Sequence, residues 1–132
     1  MTDFSFGKSE KLKSEKTISK LFRSGKSVSK FPIRFVWLPI EVNADKSVIQ
    51  TAFSVPKKKF KKAVDRNRIK RQLREAYRLN KSYLYQHLKV ADCHFALIII
   101  YTSFEKVDYK VIHENMKRTM VQMIKALYLI EQ

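Results

Sequence analysis

Cysteine, glycine and proline are nearly absent from this chain, with one, two and three copies among 132 residues. The single Cys93 can close no internal disulfide, which fits a reducing cytosol, and a lone cysteine on a strand reads as a small core residue. With so little glycine and proline, long flexible linkers are excluded, and Gly7 and Gly25 alone cannot build a glycine-rich phosphate loop. Internal repeats and low-complexity segments are missing too. No hydrophobic run is long enough to span a bilayer. The longest, Phe95-Ala96-Leu97-Ile98-Ile99-Ile100-Tyr101, has the length of a buried strand. The opening Met1-Thr2-Asp3-Phe4-Ser5-Phe6 lacks the apolar core of a signal peptide. His87, His94 and His113 match no zinc-ligand spacing, and the acids form no evident metal cluster. The expectation is therefore no catalytic residue and no protein-held metal.

Acidic residues are scarce as well, and this matters most. Against 12 Asp and Glu stand 28 Lys and Arg, a formal net charge of +16. Self-repulsion of that size opposes compaction, so it points to a polyanionic partner, either nucleic acid or an anionic membrane surface. Hydrophobic residues make up 45%, enough for a core, and the length suits one domain over residues 1–132 with a poorly ordered tail over 1–10.

Periodicity places the elements. Ser14 caps a helix from Glu15 to Ser24, with Ile18, Leu21 and Phe22 on one face and Gly25 as its stop. Phe31 to Leu38, aromatic and branched, reads as a strand. A turn at Asn43–Lys46 leads to a second strand, Val48 to Val55, expected to pair with the first as a hairpin and to end at Pro56. A long helix runs from Lys62 to Leu79, where Ile69, Leu73, Ala76 and Tyr77 form an apolar stripe. Ser82 to Leu88 reads as a short helical or irregular piece, followed by a strand at His94–Tyr101. A last helix, Tyr109 to Ile130, turns Ile112, Met116, Met120, Met123, Leu127 and Ile130 inward, and this methionine stripe is read as core. The order α-β-β-α-β-α, with helices packed on one side of a small mixed sheet, predicts a single-domain α+β sandwich.

The charge is concentrated. From Pro56 to Lys81 twelve cations face two acids, Asp65 and Glu75, so this segment carries +10 of the total. At 100° per residue, Asn67, Lys70, Arg71, Arg74 and Arg78 cluster beside the apolar stripe. The helix thus buries one side and offers the other to phosphates, whose release of counterions gives affinity and salt dependence. A face charged only for solubility would interleave both signs. A nuclear-localisation tract would lie in a tail rather than on a striped helix.

Ala63-Val64-Asp65-Arg66-Asn67-Arg68-Ile69-Lys70-Arg71-Gln72-Leu73-Arg74-Glu75-Ala76-Tyr77-Arg78 closely resembles the signature of the ribonuclease P protein family. Phe53-Ser54-Val55-Pro56-Lys57-Lys58 resembles the family's strand and lysine turn, Lys11-Leu12 with Leu21-Phe22-Arg23-Ser24-Gly25 its first helix, and Phe95–Ile100 its buried last strand. The resemblance runs from about Phe6 to the final helix. It implies a cytoplasmic subunit that assists a catalytic RNA in trimming the 5′ leader of precursor tRNA, with Mg²⁺ held mainly by the RNA and no obligate protein partner. It assigns Arg66, Asn67, Arg68, Lys70, Arg71 and Arg74 to docking on the catalytic RNA, with Lys57, Lys58, Lys61 and Lys62 extending that surface. For the leader it implies a cleft floored by sheet and walled by the first helix, lined here by Phe22, Ile18, Val36 and Arg34.

The chain departs from the family pattern where Ile18 and Val36 replace aromatics and where Lys59-Phe60-Lys61 stands in a turn that often holds glycine. Alternation puts Phe35 and Trp37 on one strand face and Arg34 and Val36 on the other, which leaves open whether the aromatics are core. Three other classes stay in view. A DNA reader would want a helix-turn-helix where this chain has a strand. A protein nuclease would need a catalytic constellation, and a lipid binder would pair lysine with exposed aromatics on its helix.

Overall fold

The computed structural model describes residues 6–41, 47–90 and 94–131. The expected turn at Asn43–Lys46, Cys93 and the side chain of Ile130 lie outside the described residues. After a 3-10 turn at Lys8–Glu10 come α1 (Glu15–Ser24), β1 (Lys26–Lys30), β2 (Ile33–Ile40), β3 (Ile49–Ser54), α2 (Ala63–Val90), β4 (His94–Tyr101) and α3 (Tyr109–Glu131). This is the expected α+β class with one strand, β1, more than the expected order.

The sheet order is β1-β2-β4-β3. β1 and β2 are antiparallel, as are β2 and β4, while β3 runs parallel to β4. The hairpin expected between the strands now called β2 and β3 is therefore absent: β4 lies between them. The physical reason is burial. Every residue of β4 except Ile100 is buried, so this strand is served best in the middle, with both faces covered and neighbours on both edges. A parallel β3–β4 pair needs a long crossover, and α2 supplies it.

The helices do not share one side, which corrects the expected packing. On one face Ile33, Phe35, Trp37, Phe95, Leu97, Ile99 and Tyr101 meet the apolar stripes of α2 and α3. On the other, Val36, Leu38, Ala96 and Ile98 meet Leu12 and Leu21 beneath α1. Phe35 and Trp37 are thereby settled as core. The methionine stripe is core too, with Met116, Met120 and Met123 fully buried. α1 is held mainly by Leu21, whose burial is worth about 1.5–3 kcal/mol, and by its ends. Ser14 Oγ accepts from the Thr17 N–H at 3.2 Å, and the Gly25 N–H donates to the Leu21 carbonyl at 2.9 Å. Gly25 adopts an extended φ of −72°, so its role is not a left-handed stop. A Cβ there would lie 2.6 Å from both the Leu21 carbonyl oxygen and Val36 Cγ1. Glycine lets the end of α1 touch the sheet.

α2 continues well past the expected end at Leu79, absorbing the segment read as irregular. Leu84 and Leu88 extend the buried stripe, and the polar interruption is accommodated by a buried ion pair. Lys81 Nζ, on a residue 4% exposed, lies 2.6 Å from Glu10 Oε2. Tyr85 donates to the same carboxylate oxygen at 2.6 Å. The 3-10 turn is thus strapped across the middle of α2. Of the ten residues expected as a tail, Phe6 packs edge-on to Phe53 and Tyr77 at centroid distances of 5.7 and 6.1 Å.

Candidate nucleic-acid interface

The loop after β3 and the first turns of α2 build a ridge of cations. The lysine turn closes through the Lys59 N–H, which donates to the Pro56 carbonyl at 3.1 Å. No glycine is required. Lys59 Nζ donates to the Thr102 carbonyl at 2.7 Å and sits 5.0 Å over the Phe104 ring, while Phe60 packs 5.9 Å from Tyr101. Of the Lys59-Phe60-Lys61 that stands in this turn, Lys59 and Phe60 therefore anchor it to the end of β4. Lys57, Lys58, Lys61 and Lys62 stand exposed around this anchor.

On the helix, Asn67, Arg68, Arg71 and Arg74 are exposed, and Arg66 and Lys70 are half-buried. Arg66 helps to build the fold, because its Nη1 donates to the carbonyls of Phe60 and Lys61, both at 2.8 Å. This ties the loop to the first turn, where the exposed amides of a helix start also favour anions. Arg74 reaches over the Phe53 ring at 5.8 Å, at the edge of the Phe6–Phe53–Tyr77 cluster. Two further cations of the basic run pair with carboxylates. Lys81 is buried against Glu10, and Arg78 forks onto Glu75 at 2.6 and 3.1 Å. That hydrogen bond, aided by the charge of Arg78, holds the Glu75 carboxyl below the usual carboxylate range. The ridge proper is shorter than the run that announced it.

The four leader candidates do not converge on one open pocket. Phe22 projects from α1 with 60% exposure. Ile18 is partly buried against the Leu21 cluster. Val36 is only 5% exposed, packed under Gly25. Arg34 is exposed and donates from Nη2 to Ser27 Oγ at 3.3 Å. Strand register adds residues that the sequence alone did not single out. Arg34 lies opposite Ile100, and Ile100 opposite Ser54. This row crosses the α1 side of the sheet and ends three residues before Lys57, so this sheet face and the ridge adjoin. The signal for Ile100 and Ser54 was strand pairing, which the sequence did not disclose.

A family model described as Ribonuclease P matches residues 6–124. The chain belongs to the ribonuclease P protein family. It is 32% identical over 121 residues to the ribonuclease P protein component of Porphyromonas gingivalis strain W83, covering 90% of this chain and 86% of that one. To the component of Chlorobium phaeobacteroides it is 30% identical over 125 residues, covering 88% and 86%. The fold resembles the RNase P protein of Staphylococcus aureus, with a TM-score of 0.66, 20% identity and coverage of 86% and 94%. For the Thermotoga maritima RNase P protein the TM-score is 0.60 at 24% identity, covering 83% and 96%. As a ribonuclease P protein component, the chain is a subunit of the RNA–protein endoribonuclease that matures the 5′ end of precursor tRNA. Catalysis in this family is RNA-based. No group of three or more His, Cys, Asp or Glu that could hold a metal ion occurs among the described residues. Nor is any described helix long and apolar enough to cross a membrane.

Proposed function

We propose that the ridge of Arg66, Asn67, Arg68, Lys70, Arg71 and Arg74, extended by Lys57, Lys58, Lys61 and Lys62, docks on the catalytic RNA. The observation that carries this reading is the exposure of Arg68, Arg71 and Arg74 on one helix flank, none in an ion pair among the described residues. Arginine forks fit phosphate oxygens, and Asn67 supplies an oriented amide. Phe22, Ile18, Val36 and Arg34 bound the cleft face that takes the single-stranded leader of precursor tRNA. Phe22 stacks on a base and Arg34 meets a phosphate, while Ile18 lies on the apolar packing that the buried Val36 supports. Mg²⁺ is held mainly by the RNA, and the particle works in the cytoplasm without an obligate protein partner. The protein contributes positioning and charge neutralisation, and breaks no bond itself.

The test adds the protein to a bacterial catalytic RNA and precursor tRNA at limiting Mg²⁺. Cleavage should be stimulated by the protein, while the protein alone cuts nothing. Cutting without RNA would overturn the division of labour.

A further inference from the structure

A groove of about 740 Å³ lies at the other edge of the sheet, between α3 and the edge strand β1. Lys30 of β1 and Lys117, Arg118 and Lys125 of α3 line it, with Glu114 as its only carboxylate and Val121 as apolar floor. None of the four cations forms an ion pair among the described residues. Their spacing explains the arrangement. Ile112, Met116, Met120 and Met123 face the core, so positions 114, 117, 118, 121 and 125 fall on the outer face as one continuous stripe. From Glu114 to Lys125 it extends about 16 Å at the helical rise, enough to follow several phosphates.

Two further features separate the groove from a merely solvated helix face. Phe31, in the turn after Lys30, is 63% exposed. Asn115 Nδ2 donates to the Phe31 carbonyl at 2.7 Å, which pins that aromatic-bearing turn to α3. Gln122, in the groove wall, keeps a shielded amide oxygen that accepts no hydrogen bond from the described residues. Cations beside an exposed aromatic are the makings of a single-strand site: the charges track the backbone and the ring stacks on a base. Gln122, whose amide oxygen has no partner to give up among the described residues, adds an acceptor for a ribose 2′-hydroxyl once its side chain turns outward.

The sheet order sets this groove apart from the ridge. β1 and β3 are opposite edges, separated by three strand spacings, about 14 Å. α2 rises from the β3 edge, and α3 packs on β1. The two cationic surfaces thus stand at different edges of the sheet and on different helices. We propose that the α3–β1 groove is a second RNA site, which takes a single-stranded stretch distinct from the segment held by the α2 ridge. It rests on the proposed function only in taking the polyanion to be RNA. The stretch belongs either to the catalytic RNA or to precursor tRNA, and the protein bridges two segments.

The experiment compares the full chain with the triple variant Lys117→Ala/Arg118→Ala/Lys125→Ala, all exposed positions, after circular dichroism confirms the fold. One arm titrates the protein onto the catalytic RNA across salt concentrations. The other titrates precursor tRNA onto the assembled particle. In one arm affinity should fall about tenfold and the slope of log K against log salt should drop by about 2, as expected when three cations no longer meet single-stranded phosphates. The arm that responds identifies the RNA. Phe31→Ser should weaken the same arm without altering the salt slope. Arg68→Ala/Arg71→Ala is measured alongside: a null result there sinks the ridge reading and leaves the groove result standing. Both arms within twofold of the parent, or loss of polyglutamate binding with both RNA arms intact, overturns the groove proposal, the second outcome marking an acidic protein as occupant.

Discussion

The two halves of α2 use the same residue types for opposite purposes. In the first half Arg68, Arg71 and Arg74 stand in solvent beside a buried stripe of Ile69, Leu73 and Ala76. In the second half Lys81 turns into the protein and meets Glu10 from 71 residues away. An exposed cation costs little to fold and remains available to phosphate. A buried one must be paired, because an unpaired charge in the interior is expensive. The lesson is that positive charge in a basic protein is not one quantity: some of it stays in solvent, open to a polyanion, and some of it assembles the fold. The assembled part has a purpose here. Glu10 and Tyr85 hold the 3-10 turn, which brings Phe6 against Phe53 and Tyr77 directly behind Arg74.

The sharpest way to break this distinction is Lys81→Met. It leaves the Glu10 carboxylate buried without its cation, so stability should fall by about 3–5 kcal/mol, read from urea or thermal unfolding. Molecules that remain folded should bind RNA with unchanged salt slope. Adding Glu10→Gln should restore much of the loss, and a double-mutant cycle without coupling would contradict the buried pair. Alkaline unfolding reports on the same region. Burial pushes the hydroxyls of Tyr77 and Tyr85 above the ordinary tyrosine range. A raised acid contributes stability that is complete below its unfolded value and is lost as pH rises toward the folded one. Stability should therefore decline above about pH 10, the unfolded tyrosine value. Tyr85→Phe, which removes one of these groups and one donor to Glu10, should make that decline shallower. An identical alkaline limb would deny Tyr85 its buried place.

The opposite result is expected from Arg68→Ala and Arg71→Ala. Each should weaken RNA binding by about 1–3 kcal/mol, the usual worth of a hydrogen bond to a charged group, and flatten the salt dependence. The unfolding midpoint should hardly move, since exposed substitutions usually change stability by less than about 0.5 kcal/mol. Equal losses in stability would show that these arginines, too, belong to the fold. Arg66→Ala sits between the two cases. Its guanidinium serves the carbonyls of Phe60 and Lys61, so its removal should lower stability by about 1 kcal/mol through the missing hydrogen bonds and weaken RNA binding as well. A purely electrostatic response, with the midpoint fixed, would remove its clamp on the loop.

How far the sequence disclosed this arrangement depended on where each partner lay. α1 was legible to the residue because its cap, stripe and terminal glycine are local. The cationic run was legible as a surface for the same reason. Its division between binding and assembly was not, since the groups that claim Lys59 and Lys81, the Thr102 carbonyl and Glu10, are remote in the chain. β1 was missed because Lys-Ser-Val-Ser-Lys has a single apolar residue. It exists as an edge paired to β2, with only Val28 partly covered. The end of α2 was misplaced because Arg78-Leu79-Asn80-Lys81-Ser82 reads as a polar stop until Lys81 finds its carboxylate. Sheet order was hidden because it is decided by which strand gains most from the centre, a property of the assembled core. For the cleft, alternation separated Phe35 and Trp37 from Arg34 and Val36 correctly, but only register placed Ile100 and Ser54 beside Arg34.

The smallest expected effect lies at the boundary between the halves, where Glu75 holds Arg78 on the helix surface. Glu75→Gln removes an exposed carboxylate from the flank of the ridge, so RNA binding should tighten slightly at low salt and the salt slope should steepen. Because the Arg78 hydrogen bond lowers the folded-state pKa of Glu75, the wild-type pair contributes stability only above the ordinary carboxylate range. That contribution fades as pH falls through the lowered value. In the glutamine variant this part of the acid limb should vanish, while the neutral-pH midpoint stays within experimental scatter, as for most exposed i,i+3 pairs. A large loss at neutral pH would place Glu75 and Arg78 with Lys81, among the charges that assemble the protein. The boundary between binding and assembling charge would then fall one helical turn earlier than the geometry puts it.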